Sequence, residues 1–547
     1  MLPFGSHILF NILQNLNPKE DSTDFNKNVR KCARYGIVYF LHDNYESYCP
    51  FCFLKGKWCH LKERCFYSHY QICDDCKMFK SIIDNMNNNI LILTAQFCSI
   101  SNIFINSLCS KSFNAILQYS NPFFRCIKRN DIRNKIFELF DTIKYNIKNE
   151  CSEEFCNILL DGATRNNKNF YCFIIHTKKR LFYNKIQSIE YSSSENIAQI
   201  TAEIVKFIQN ETNLEILTIC TDHASNCIKA FNQYDQISLQ SITGQFFEWI
   251  GCFCHLLNLS IIDLFTNFEF VTLYNSLNNI LTLCKQIKLR KKIPSFSKTR
   301  WNSYSKCLNF LNDVKTELIY FFNLNIPKYN HFIEILNSDV FRELTELFNF
   351  LNHFSSEIGG DNFLICNVYS NIVKFESFLS NLKTIDIIFC GRIILQRIYS
   401  SDEYKVAVAA FFFTIDGRNH FLRIEDETEK QNFLIAIKEY IMYYNSFKFG
   451  YNEDTLEVQI NNYINYSISP STDPFQLWNE WRNNLEMKEL AEIAIRILHM
   501  PCSELPVERA FSHMKYLFGS KNYAESEELL NSQMGIRMEN VYSRENT

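Results

Sequence analysis

Several things are scarce in this chain of 547 residues, and each scarcity excludes something. No run of about eighteen apolar residues occurs, so no membrane-spanning helix is expected. The opening Met1-Leu-Pro-Phe-Gly-Ser-His-Ile-Leu-Phe10 lacks the basic start and continuous apolar stretch of a secretory leader. Neither sign of charge is in large excess: 56 basic against 59 acidic residues give a net charge of −3. Contact with a polyanion would therefore have to come from local basic patches. Tryptophan is rare, at five.

Cysteine, by contrast, is plentiful, at 22. Without a leader these thiols are expected to be reduced, most as small buried hydrophobes and some as metal ligands. Phe (50) and Tyr (28) are also abundant, which coding bias toward AT-rich codons would explain. The 47% hydrophobic content suffices for packed cores, and the length calls for roughly two to four domains.

Residues 48–76 concentrate metal-ligand chemistry. Cys49 and Cys52 form a CxxC knuckle, and His69 and Cys73 follow in an HxxxC pair, with 69 − 52 − 1 = 16 residues between the pairs. This is a zinc-finger layout, in which a tetrahedral Zn2+ replaces a core that so short a segment cannot build. Cys59, His60, Cys65 and Cys76 are further candidates for one of the four positions or for a second site.

Three carboxylates far apart in the chain sit where a two-metal site would need them. Asp161 ends the apolar run that begins at Phe155, Asp222 follows the apolar run 214–220 and Thr221, and Glu508 lies in Ser503-Glu-Leu-Pro-Val-Glu-Arg-Ala-Phe-Ser512. Carboxylates at strand ends and on a helix can converge on two hard cations that activate water at a phosphodiester. Strands are expected over 155–160, 170–175, 181–191 and 214–220. A helix carrying Ile197, Ile200, Ile204 and Ile208 should precede the fourth strand. Val507, Ala510, Phe511, Met514, Leu517 and Phe518 form one helical stripe beside Glu508. Between Asp222 and Glu508 lie 508 − 222 = 286 positions, far too many for a loop, so a domain must be inserted there. Its apolar runs, such as 341–354 and 372–382, have helical period.

Five segments occur in a fixed order: Asp161-Gly-Ala-Thr164, Thr221-Asp-His-Ala-Ser-Asn226, Cys252-Phe-Cys-His-Leu-Leu-Asn-Leu259, Thr299-Arg-Trp-Asn-Ser303 and the Glu508 segment. In that order they resemble the hAT superfamily of cut-and-paste DNA transposases, from about residue 85 to the C-terminus. The resemblance implies an α/β RNase H-like catalytic domain interrupted by a large all-α insertion and preceded by a small BED-like zinc finger. The expected boundaries are 1–30 unassigned, 31–80 finger, 85–150 helical DNA-binding or oligomerisation segment, 151–304 first part of the RNase H-like domain, 305–485 insertion, and 486–547 last part with a dimerisation region. In that fold the first and fourth strands are neighbours.

The resemblance maps Asp161, Asp222 and Glu508 onto a catalytic triad holding Mg2+ or Mn2+, with Zn2+ in the finger on Cys49, Cys52, His69 and Cys73. It makes Trp301 a stacking platform for an extruded base next to Arg300. Just upstream, Lys285, Lys288, Arg290, Lys291, Lys292 and Lys298 suit phosphate contact next to Trp301, with a nuclear-import signal or a solvated face as the alternatives. Cys252 and His255 are either a second structural metal pair or a buried thiol and imidazole. The implied partners are double-stranded DNA and a second copy of the chain, with no membrane, in the nucleus. Two departures from the family stand out: Ala163 where Trp is common, and His223 where Asn is usual. Ile415-Asp-Gly-Arg418 has Gly in place of the family's Pro. The alternatives are a catalytically inactive zinc-finger regulator of transcription or chromatin built on a transposase fold, and an RNase H-like nuclease acting on RNA.

Overall fold

The computed structural model describes residues 47–48, 60–61, 70–71, 73–101, 103–120, 125–150, 154–165, 168–231, 238–287, 293–294, 302–324, 329–360, 364–469, 471–518 and 526–545. The zinc-ligand candidates Cys49, Cys52 and His69 lie outside them, as do Lys291, Lys292, Arg300 and Trp301. The chain forms two compact units, 1–145 with 516–547, and 146–515.

In the first unit a two-residue strand pair, Ser47–Tyr48 with His60–Leu61, precedes the long helix α1, Asp74–Ser101. Cys73 is buried at the start of α1, and its carbonyl accepts from the Lys77 amide (3.1 Å). Helix α2, Arg129–Glu150, begins in this unit, and the C-terminal helix Glu527–Glu545 packs on α1. Ala95, Cys98, Ile132, Ile136 and Leu529 share its core. Gly535 abuts the Phe140 ring so closely that a Cβ would collide with it.

The second unit is built on one five-stranded mixed sheet. Its strands are β1 Phe155–Arg165, β2 Lys168–His176, β3 Leu181–Ile189, β4 Glu215–Thr221 and β5 Glu248–Gly251, in the order β3-β2-β1-β4-β5. The first three pair antiparallel, whereas β4 runs parallel to both β1 and β5. β3 and β4 therefore point the same way on opposite sides of the β2–β1 pair, so their connection must cross over the sheet, and helix α3, Ser194–Glu211, supplies it. Ser193 caps α3 by accepting from the Asn196 amide (3.2 Å).

The central strands are apolar on both faces because both faces are covered. Cys156, Ile158 and Leu160 pack toward α3 with Ile197, Ile204 and Ile208. Alternate residues face the other way, where a helical body running from Asn302 to Trp481 and on to Leu498 continues the core. On that face Asn157 donates to the His499 carbonyl (2.8 Å) and accepts from the Thr218 hydroxyl (2.7 Å). Ile415-Asp-Gly-Arg418 opens the helix Ile415–Arg423, capped by Thr414. Gly417 is needed because a side chain would strike the Phe411 backbone, and buried Arg418 donates to the carbonyls of Tyr463, Ile464 and Tyr466, capping the end of another helix.

Among the described residues no single helix is long and apolar enough to cross a membrane.

Candidate active site

Asp161 is not the last residue of its strand, as the apolar run predicts. The antiparallel pairing with β2 continues to Arg165↔Lys168, so Asp161 pairs with Cys172 inside the hairpin. What ends near it is the parallel pairing with β4, at Leu159↔Cys220. Continuing that register by two residues sets Asp161 beside Asp222, on the face that carries Asn157 and Thr218. The Gly162 amide donates to Asp161 Oδ1 (2.6 Å). Asp222 Oδ1 accepts from the Ala224 amide (3.1 Å), an Asx turn that leads into helix α4, Ser225–Phe231.

Burial raises the Asp161 carboxyl to about 7, assisted by the Asp222 charge and, more weakly, by Glu508, while the Gly162 amide opposes the rise. No lysine or arginine among the described residues pairs with either aspartate. A cavity of about 210 Å3 opens beside them, lined by Gly162, Ala163, Thr164, Tyr171, Asp222 and Asn226, among others. Ala163 leaves room there, and Gly162 lies flat against the Tyr171 ring, which a Cβ would strike.

Glu508 arrives from the far end of the chain. Helix α5, Phe253–Asp263, and helix α6, Asp339–Ile358, frame its approach. The Cys252 amide donates to the Thr221 carbonyl (2.7 Å) and the Phe253 amide to the Cys502 carbonyl (2.8 Å), so the segment after residue 500 is tied to the end of β4. Ser503 Oγ then accepts from the Leu505 amide (3.1 Å), starting the helix Leu505–Phe518. Pro506 is tolerated in its first turn. Arg509 donates to the Gly359 carbonyl (2.8 Å) at the end of α6. Glu508 itself is exposed, whereas Glu504, one turn earlier, is 3% exposed and its Oε2 has no partner among the described residues. Burial raises the Glu504 carboxyl far above its usual range, with Cys252 and Asp161 adding to the rise.

Cys252 and His255 turn to different neighbours. The Cys252 thiol is fully buried against Ser503 Oγ (3.6 Å). His255 stacks on His223 with ring centroids 5.5 Å apart, and burial holds its imidazole below the usual value, with Asp222 pulling the other way. His223 in turn meets Glu403 Oε1 through Nε2 at 3.0 Å. Glu403 lies on helix α7, Asp402–Phe412, 403 − 223 = 180 positions on. Burial alone would raise Glu403, but the bond to His223 keeps it below the ordinary range. The pair passes directly over Gly251, where a Cβ would collide with both side chains.

Sequence reasoning missed this His223–Glu403 contact, because nothing local marks Glu403 among the acids of the helical body. It also missed Glu504, although that residue stands four positions before Glu508 in a quoted segment. Among the described residues no group of three or more His, Cys, Asp or Glu side chains is gathered as it stands into a metal-binding set. The donor chemistry of Asp161, Asp222 and Glu508 nevertheless suits hard cations, and Asp161 is raised first by burial and then by the neighbouring Asp222 charge.

No family model matches the chain, and no curated protein matches it.

Proposed function

We propose that the chain is a DNA-binding hAT-type transposase that cuts and joins DNA by phosphodiester hydrolysis and strand transfer. The observation that carries this reading is the adjacency of Asp161 and Asp222 on one sheet face, with Glu508, 508 − 161 = 347 positions beyond Asp161, adding its charge to the same carboxyl. The strand order β3-β2-β1-β4-β5, with the first three strands antiparallel and the last two parallel, supports an RNase H-like assignment for this part. The ordered motifs quoted above, which resemble that family, support the assignment.

In this reading Asp161, Asp222 and Glu508 hold Mg2+ or Mn2+. Bound there, two such ions would activate water and stabilise the leaving oxygen of a phosphodiester. The chain's own groups orient the carboxylates: the amides of Gly162 and Ala224 each fix one oxygen, and the tether at residues 502–505 aims the helix bearing Glu508. A zinc finger on Cys49, Cys52, His69 and Cys73 would recognise double-stranded DNA, and Arg300, Trp301, Lys291 and Lys292 would contact it near the cut. Self-association would use a surface other than the helix Lys488–Leu498. Its apolar residues Leu490, Ala491, Ile493, Ala494, Ile497 and Leu498 are already fully covered within this chain. The nucleus is the proposed location.

Linear DNA carrying the sequence that flanks the gene, incubated with Mn2+ or with EDTA, tests this on a denaturing gel. Nicks and hairpin products that vanish with EDTA and in Asp222→Ala are the expected result. Equal cleavage by the Asp222→Ala variant would refute the assignment. Ala163 and the open arrangement of the three carboxylates favour a second reading, a regulator that binds DNA without cutting it. Metal-independent binding with no cleavage by the wild type would select that reading.

A further inference from the structure

A second cavity, of about 540 Å3, lies in the same unit at the sheet edge formed by β5. It is more than twice the volume of the one beside Asp222, and its walls are of a different kind. Phe246, Trp249, Tyr440 and Tyr443 supply aromatic surface, the two tyrosines from helix α8, Glu427–Lys448. Glu248, Asp402, Glu403 and Glu439 supply carboxyl groups. Among the described residues Lys405 is the one cationic side chain in the lining, and its Nζ is 3.3 Å from Asp402 Oδ1.

Glu248 gives the cavity its chemistry. It is 6% exposed, on a four-residue edge strand. Its Oε1 accepts a long bond from the Tyr440 hydroxyl (3.4 Å), and its Oε2 is buried with no donor among the described residues. A buried acceptor without a donor costs roughly 1–3 kcal/mol, so a ligand that brings an N–H into the cavity recovers that loss. Aromatic faces attract cations, and guanidinium groups stack on them. The surplus of carboxyl groups over Lys405 repels anions such as nucleotide phosphates.

We infer that this cavity binds an organic cation of the guanidinium or primary ammonium type, with Glu248 accepting its N–H and the aromatic walls covering its flat or aliphatic part. The site is separate from the carboxylates proposed for catalysis and does not rest on their role. Burial holds the empty Glu248 carboxyl up to about 8, against the Tyr440 hydroxyl and with Asp402 adding to the rise. Binding of a cation would therefore expel a proton near neutral pH. Glu403, Glu439, Asp402 and Lys405 face the same space and set the background charge.

Calorimetric titration of the full chain with agmatine, and separately with the capped tripeptide acetyl-Gly-Arg-Gly-amide, tests the inference. Saturable one-to-one binding of either is expected, weakened about tenfold or more in Glu248→Gln and a few-fold in Glu439→Gln at the exposed rim. The tighter of the two ligands distinguishes a free cation from an arginine side chain carried by a polypeptide. Circular dichroism establishes that each variant is folded. If Glu248→Gln does not fold, the rim variant and a neutral competitor, benzamide, decide the matter. No saturable binding by the wild type, unchanged affinity in the folded variants, or benzamide binding as well as agmatine would each overturn it.

Discussion

The two ends of the β1–β4 strand pair are built on opposite electrostatic plans. At the starting end, Glu154 and Glu215 are held by arginines. Arg482 donates to Glu154 (2.7 and 2.9 Å), and Arg496 reaches Glu215 (2.9 Å) with Lys448 on its other oxygen (2.9 Å). Burial would raise the Glu215 carboxyl, but these partners bring it below the usual range. At the finishing end, Asp161 and Asp222 stand together with no such cation among the described residues, and burial with the Asp222 charge raises Asp161 to about 7. One strand pair thus carries a neutralised end and a crowded one. Carboxylates side by side, without a partnering cation among the described residues, are what motivates the metal-binding proposal.

The largest effect that would break this comparison is on cleavage. Asp222→Ala should lower Mn2+-dependent strand cutting by at least about a thousandfold, read by single-turnover gels, while DNA binding by mobility shift stays close to wild type. Next in size, Arg496→Leu should destabilise the second unit by about 3 kcal/mol in urea unfolding, because Glu215 and Glu492 lose a buried partner. Its affinity for Mn2+ should not change. A loss of Mn2+ binding in that variant would erase the distinction between the two ends.

Divalent cation should act only at the crowded end. Mn2+ at about a hundred times its dissociation constant should add about 2.7 kcal/mol to wild-type stability and far less to Asp161→Asn, read as a shift in Tm. The smallest effect is on pH dependence, and the signs are opposite. Asp161 titrates higher folded than the ordinary value near 3.9, so its contribution favours folding at acid pH and is lost as pH rises toward about 7. Glu215 titrates lower folded, so its contribution is present above the ordinary carboxylate range and is lost on acidification. Urea midpoints at pH 5 and 8 should therefore converge in Asp161→Asn, whereas in Glu215→Gln the loss of stability between about pH 5 and pH 3 should shrink and the pH 5 to 8 difference stay as in wild type.

Much of the crowded end was legible in the sequence because it is written in local pattern. The expected strands 155–160 and 170–175 fall within β1 and β2, the strand expected over 214–220 is β4 shifted by one residue to Glu215–Thr221, and the isoleucine period of the crossover marks α3. The strand expected over 181–191 ends at Ile189. Helix Leu505–Phe518 carries the predicted stripe at Val507, Ala510, Met514 and Leu517. β1 runs past Asp161 because its partner β2 continues, and a strand's length depends on its partner as much as on its own residues. β5 escaped notice because four residues carry too little alternation to register. Glu403 and Arg496 escaped for a deeper reason: their roles depend on which side chain 180 or more positions away they meet, and no periodicity encodes that.

The bond from the Phe253 amide to the Cys502 carbonyl, which ties the segment before Glu508 to the start of α5, joins residues 502 − 253 = 249 positions apart. Loop closure on this scale is slow relative to helix formation. The crowded end is therefore a timer on folding. A chain refolding from urea should regain its helical circular dichroism first and its Mn2+-dependent protection later. During that interval the molecule would be largely helical, with the helix that bears Glu508 not yet held against the end of β4.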